Sequence, residues 1–298
     1  GALMAFAFLG AYAWAALTLP VLRLTEHFTL SCDEGAWRLT RVAALLARDQ
    51  NSHDALGEAW SLGPTRQVEF RLPVEAGEPE GRLTVSVEDE EGKVQLNAVS
   101  PAHWRKFVAT RRIPEDETVG DSLLDWRDAD STPGLHGAED DYYLRRSPPY
   151  RAKNASFDTI GELRLLRGMT EPGFRLLVPE VTVYGAGRVN LNTAPMMVLA
   201  SLPGMDEMLA RRLIQRRQGP DGVPGTTDDT PFLVPDQARV LLGSVYDRVA
   251  DLVTVNSGHF TVRSSASVGR ATVSVRVVLN RQALAGARRL QTMQWTED

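Results

Sequence analysis

Residues 2–22 read ALMAFAFLGAYAWAALTLPVL, twenty-one consecutive uncharged side chains ending just before Arg23. At 1.5 Å per residue a helix of this length spans about 30 Å, the thickness of a bilayer's hydrocarbon core. A membrane anchor is favoured over a buried core helix or a cleaved signal peptide, which would carry a basic leader and a small-residue cleavage site. The helical pattern continues past Arg23. Leu24, Phe28, Cys32, Leu39, Val42, Ala43 and Leu46 recur at three- and four-residue spacing with charged residues between them. Residues 1–48 are therefore expected to form one long helix, apolar all round at first and amphipathic later. Pro20 removes a backbone donor and should kink it. Cys32 falls on the apolar stripe and reads as a small core residue.

After a turn-rich connection over 49–65 the period changes to two. Leu83, Val85 and Val87 alternate with polar residues, Glu90-Glu91-Gly92 makes a turn, and Val94 and Leu96 alternate again, which predicts a hairpin. RQVEFRLPV (66–74) is a candidate preceding strand, weakened by Pro73. Near the C-terminus, Leu252, Val253 and Val255 form a short apolar run. HFTVRSSASV (259–268) and ATVSVRVVL (271–279) predict a second hairpin about Gly269-Arg270. The residues between are mostly helical in pattern: 101–112, a short 121–126, a Thr159…Glu162 capping box opening a helix that Gly168 ends, a capped start at Asn192-Thr193-Ala194-Pro195, then 206–218 and 236–242. The predicted class is α+β, with a long N-terminal helix packed on an antiparallel sheet and a large helical domain inserted between strands. The helix is 1–48, the sheet domain 49–100 with 250–298, and the insertion 101–249.

The chain has 298 residues, 43% of them hydrophobic and 24% charged, a composition that builds a folded core and excludes wholesale disorder. Its net charge of −5 gives no footprint for bulk nucleic-acid binding. One cysteine excludes an internal disulfide and any cysteine-rich metal cluster. The five histidines show no metal-ligand spacing, and no P-loop, dinucleotide fingerprint or G-x-S-x-G occurs, so nothing nominates an enzyme.

The strongest chemical signal is acidic. Residues 113–141 hold ten carboxylates against one basic side chain, Arg127. DWRDAD groups Asp125, Asp128 and Asp130, and GAEDDYY brings Glu139, Asp140 and Asp141 after turn residues that let the two clusters fold together. Such a concentration is either a solvated loop or a site for calcium, which takes six to eight oxygen ligands. The spacing is not that of an EF-hand. A second acidic loop, GPDGVPGTTDD with Asp221, Asp228 and Asp229, reads as a linker ahead of a cation site. Residues 189–217 resemble a helix-hairpin-helix with a Leu-Pro-Gly turn, and 157–181 a half-copy. Asp206 and Glu207 put negative charge where a phosphate would sit, so both read as packing modules ahead of DNA-binding ones.

The run LLDWRDADSTPGLHGAEDDYY…PPYRAKNASFDTIGELRLLRGM, then VTVYGAGRVNLNTAP and FTVRSSASVGR, resembles the general secretion pathway protein K family, minor pseudopilins of the type II secretion system. DALGEAW (54–60) and GKVQLN (92–97) fit the same pattern, and the resemblance covers nearly the whole chain. It implies a pilin-like fold and a non-enzymatic subunit at the pseudopilus tip that initiates or caps the fibre with other minor pseudopilins. It implies a single-pass inner-membrane protein with its soluble part in the periplasm, cleaved by prepilin peptidase after Gly1 so that Ala2 leads the mature chain. It places Phe6 where most pilins carry glutamate, which suits a subunit with none above it. It implies calcium in the inserted domain, with Asp125, Asp128, Asp130, Glu139, Asp140 and Asp141 as the matching acids. Nucleic acid is not an expected partner. The alternatives are a membrane-anchored helix-hairpin-helix protein of the DNA-uptake type and a secreted hydrolase with a calcium-stabilised domain.

Overall fold

The computed structural model describes residues 42–49, 51–63, 65–72, 81–268, 270–284 and 287–297. The expected membrane span, the Pro20 kink, Cys32, Phe6 and the Gly1-Ala2 junction lie outside them. Among the described residues no helix is long and apolar enough to cross a membrane.

Five antiparallel strands form the main sheet: β1 (Gln67–Leu72), β2 (Gly81–Asp89), β7 (His259–Val268), β8 (Ala271–Leu284) and β9 (Ala287–Glu297). They lie side by side in that order. The central pair, β2 and β7, runs from Gly81 opposite Val268 to Asp89 opposite Phe260. Everything from Glu90 to Gly258 thus leaves the sheet at one strand and returns at its neighbour. Period-two alternation puts Leu83, Val85 and Val87 on one face with Val262, Val277 and Leu279, and the helical residues 42–48 cover that face through Val42, Ala43 and Leu46. Trp60 closes this core edge-on to Phe260, with ring centroids 5.0 Å apart.

A second core occupies the intervening residues, where helices Pro101–Thr110, Asp116–Arg127, Met196–Ser201 and Glu207–Arg217 bury Trp104, Phe107, Leu123, Leu199 and Leu213. Two short parallel pairs tie it together: β3 (Val94–Gln95) with β4 (Val181–Thr182), and β5 (Val189–Asn190) with β6 (Val253–Thr254).

Of the strand expected over 66–74, residues 67–72 form β1, and β7 and β8 pair antiparallel as expected, while several other elements differ. The hairpin expected over 83–96 does not form. Asp89 accepts from Glu91 N at 2.9 Å and opens a 3-10 turn over Glu90–Gly92. The fully buried Glu90 is bridged to Glu88 by Lys93, so the chain turns out of the sheet and β3 pairs elsewhere. The Thr159–Glu162 capping box is present, but it opens a 3-10 helix, Ile160–Leu165. The short 121–126 helix is in fact Asp116–Arg127, its first turn strengthened by Asp116 and Glu117 at the positive end of the helix dipole. The helix expected over 236–242 is a 3-10 turn, Pro235–Ala238, followed by Arg239–Leu242. Nor do Asn192 and Thr193 cap the following helix, whose N-cap is Pro195. Asn192 pairs with the backbone of Phe232, and Thr193 donates to Asp89.

That last contact belongs to a buried junction between the cores. Asp89 Oδ2 also accepts from Asn190 Nδ2 at 3.1 Å and Ser257 Oγ at 2.7 Å. Beside it the Arg281 guanidinium grips Asp54, and Asp49 at 2.7 Å. These bonds fix the orientation of the helical block at the point where the chain leaves and re-enters the sheet.

Candidate metal centre

The acidic stretch folds back on the helix that carries its first half. Arg127, at the end of the Asp116–Arg127 helix, donates to the Leu96 and Val99 carbonyls at 2.5 and 2.6 Å and pins that end to the chain leaving β3. The following loop is laced to the helix by carboxylates: Gly134 N donates to both oxygens of Asp125 at 3.1 and 3.0 Å, and His136 N donates to Asp121 Oδ2 at 3.1 Å. Gly137 is required by this approach, since a Cβ there would lie 1.8 Å from Asp125 Oδ2.

The fold-back delivers Glu139 to Asp128 and Asp130. Each of the three offers an oxygen, and these oxygens lie within 4.8 Å of one another. Glu139 is 4% exposed, and neither of its oxygens has a hydrogen-bond donor; Asp128 Oδ1 is buried in the same condition. Burial, reinforced by Asp125, Asp128, Asp130 and Asp140, pushes the Glu139 carboxyl up to about 7. Burial and then Asp130 raise Asp128. Buried ionised oxygens without donors or counter-charge are costly. A hard divalent cation relieves both deficits, supplying charge and accepting oxygen ligands. The residues present therefore fit calcium. One residue missing from the sequence reading is tied to Asp130: Asn154 donates through Nδ2 to the Asp130 carbonyl at 3.1 Å, while its Oδ1 is buried without a donor. The only sequence signal for it was an asparagine suited to positive φ, which it adopts at 47°.

Of the six acids expected at the site, Asp128, Asp130 and Glu139 converge, and Asp125 shapes the loop. Asp140 is engaged by Ala152 N at 2.9 Å and Arg151 at 2.8 Å, and Asp141 is exposed. In the 219–231 loop the carboxylates accept from the loop itself, Asp228 from Thr226 Oγ1 and Asp229 from Gly225 N, as a self-folded linker does. Another acidic grouping, Asp49, Asp54 and Glu58, has its counter-charge built in, because Arg281 reaches both aspartates.

The helix-hairpin-helix-like segment is filled by its own side chains. Asp206 caps the Glu207–Arg217 helix by accepting from Leu209 N at 2.8 Å, which occupies the amide a phosphate would use. Lys106 takes the turn carbonyls of Leu202 and Met205. His103 lies 2.9 Å from Ser201 Oγ; both are buried, and that hydroxyl already donates to the Val198 carbonyl, so the pair is a buried hydrogen bond within the packed head.

Residues 85–186 match the family model for the type II secretion system (T2SS), protein K. The type II secretion system protein K of Pseudomonas aeruginosa is 35% identical over 229 residues, covering 72% of this chain and 63% of that one. The protein of the same name from Klebsiella pneumoniae is 30% identical over 271 residues, covering 82% and 77%. The chain thus spans slightly under two thirds of the Pseudomonas relative. In fold it is similar to a chain of the GspK-GspI-GspJ complex from enterotoxigenic Escherichia coli, with a TM-score of 0.68 at 19% identity over 91% of this chain and 98% of that one.

Proposed function

The chain belongs to the type II secretion system protein K family, and from that premise we propose that it is a minor pseudopilin that starts or caps the secretion pseudopilus and works by shape. The observation that carries this reading is the adjacency of β2 and β7. A thin helix-on-sheet stem carries, between two neighbouring strands, a helical head with its own core. A fibre built by stacking stems has no room for another subunit above such a head. Its proposed partners are the counterparts of GspI and GspJ, the subunits named with the solved relative. The apolar 2–22 stretch would hold the chain in the inner membrane before assembly and in the fibre core afterwards, since both environments remove it from water. Prepilin peptidase would act at Gly1-Ala2, leaving the soluble part in the periplasm.

Calcium would stabilise the head in this reading, held by Asp128, Asp130 and Glu139, with Asn154 tied to Asp130. When bound it supplies charge neutralisation and cross-links the fold-back; the residues themselves hold the loop in place through Asp125 and Asp121.

Co-expression with the corresponding I and J subunits tests the proposal. A stable complex containing all three is expected, together with loss of secretion when this subunit is deleted and recovery when it is restored. Elution of the chain alone, with secretion unaffected by its deletion, would refute it. Salt-sensitive binding of duplex DNA would instead favour the DNA-uptake alternative.

A further inference from the structure

Next to the fold-back, following the exposed Asp141, arginines gather about one aromatic ring. Tyr142 is flanked by two guanidinium groups, Arg167 at 5.2 Å and Arg146 at 5.8 Å from its ring centroid. Arg145 is exposed beside them. Among the described residues none of these three arginines has an ion-pair partner, whereas the nearby Arg151 is paired with Asp140 and Arg164 with Glu171. Arg146 bonds to Tyr150 and Arg167 to the Gly137 carbonyl, but neither bond supplies counter-charge, and like charges gathered about one ring repel. The base beneath them is rigid. Tyr142 packs edge-on to the fully buried Tyr143 at 5.2 Å, and Tyr143 packs edge-on to Trp126 at 5.3 Å. Two exposed leucines neighbour the arginines along the chain: Leu144, 46% exposed, just before Arg145, and Leu165, 39% exposed, two residues before Arg167. The Leu165 backbone is held by a 2.8 Å bond from Tyr150 Oη to its carbonyl.

We propose that this patch is a docking surface for an acidic segment of a protein partner, carboxylates meeting Arg145, Arg146 and Arg167 and an apolar side chain lying against Leu144 or Leu165. It goes beyond the assembly role above and does not depend on it. The argument is charge complementarity. Planar guanidinium groups pre-oriented by an aromatic ring suit bidentate capture of carboxylates, and the ring restrains the side chains before binding. Arginine and tyrosine are also the residues enriched at binding hot spots.

The test uses the full chain in a neutral detergent and a fluorescein-labelled peptide of alternating glutamates and leucines, followed by anisotropy. Binding that weakens as salt rises is expected, falling at least about tenfold when Arg145 and Arg146 are both changed to glutamate. Arg167 also donates to the Gly137 carbonyl, so Arg167→Glu is read only alongside an unchanged melting temperature. Arg212→Glu, an exposed charge on the Glu207–Arg217 helix, should leave binding unaltered. Three results overturn the proposal: no peptide binding, equal loss from Arg212→Glu, or displacement of the peptide when the micelles are doped with phosphatidylglycerol, which would assign the patch to an anionic lipid.

Discussion

Replacing Glu139 by glutamine should reverse its effect on stability according to whether calcium is present. In the native chain the carboxyl is raised from 4.5 to about 7 by burial and by its acidic neighbours. At 1.36 kcal/mol for each pH unit that amounts to roughly 3 kcal/mol of penalty on the ionised form, an upper figure because water reaches and screens such sites in part. A carboxyl whose folded value is raised contributes stability that is complete below about 4.5 and is lost as pH rises through about 7. Above about pH 7.5 in chelator, the Glu139→Gln variant carries no such penalty and should be the more stable protein by about 1–3 kcal/mol. With calcium in hundredfold excess over its dissociation constant the parent should gain about 2.7 kcal/mol, and the variant, one charged ligand short, much less. Urea titrations of both proteins in chelator and in calcium measure the four stabilities. Glu139→Gln destabilising equally in both media, or a parent insensitive to chelator, would refute the reasoning.

Three other perturbations have equally definite outcomes. His103, 5% exposed, is lowered from 6.5 to about 4 by burial and then by Lys106, so the unfolded chain binds its proton first. Stability should fall by about 3 kcal/mol as pH drops from about 6.5 to about 4, and His103→Gln should flatten that slope in denaturant titrations taken across the range. Gly137→Ala forces a Cβ against Asp125 and should expel the 129–138 loop, abolishing the melting shift produced by calcium while leaving the sheet's far-ultraviolet dichroism intact. Arg281→Ala strands the buried Asp54 carboxylate and removes the guanidinium stacked 4.9 Å from Phe260, which should cost about 3–5 kcal/mol in urea unfolding.

The sheet was legible where one face is apolar and the other polar, because alternation then reports burial directly. Leu83, Val85 and Val87, and the 259–279 hairpin, met that condition. Nothing local announced β9, since ARRLQTMQWTE does not alternate cleanly and is held by its neighbour β8. The failed 83–96 hairpin shows the limit from the other side. Its turn residues were read correctly, but Glu90 is committed to Lys93, Thr182 and Thr261, two of them far away in sequence. A turn signal tells where a chain bends and leaves open which strand it meets.

The same distinction explains the site. Counting carboxylates located the acidic stretch, yet a count treats Asp125, Asp140 and Glu139 alike. The fold divides them by what each oxygen receives. Asp125 takes Gly134 N–H, Asp140 takes Arg151 and Ala152, and Glu139 takes nothing. Those donors come from residues nine to twelve positions away along the chain, and the arrival of Gly134 depends on Gly137 allowing the loop to touch the helix. A structural carboxylate and a metal-seeking one therefore differ by a donor that sequence composition does not encode. The residue with the strongest claim to a cation is the one the fold has both buried and left without a proton donor.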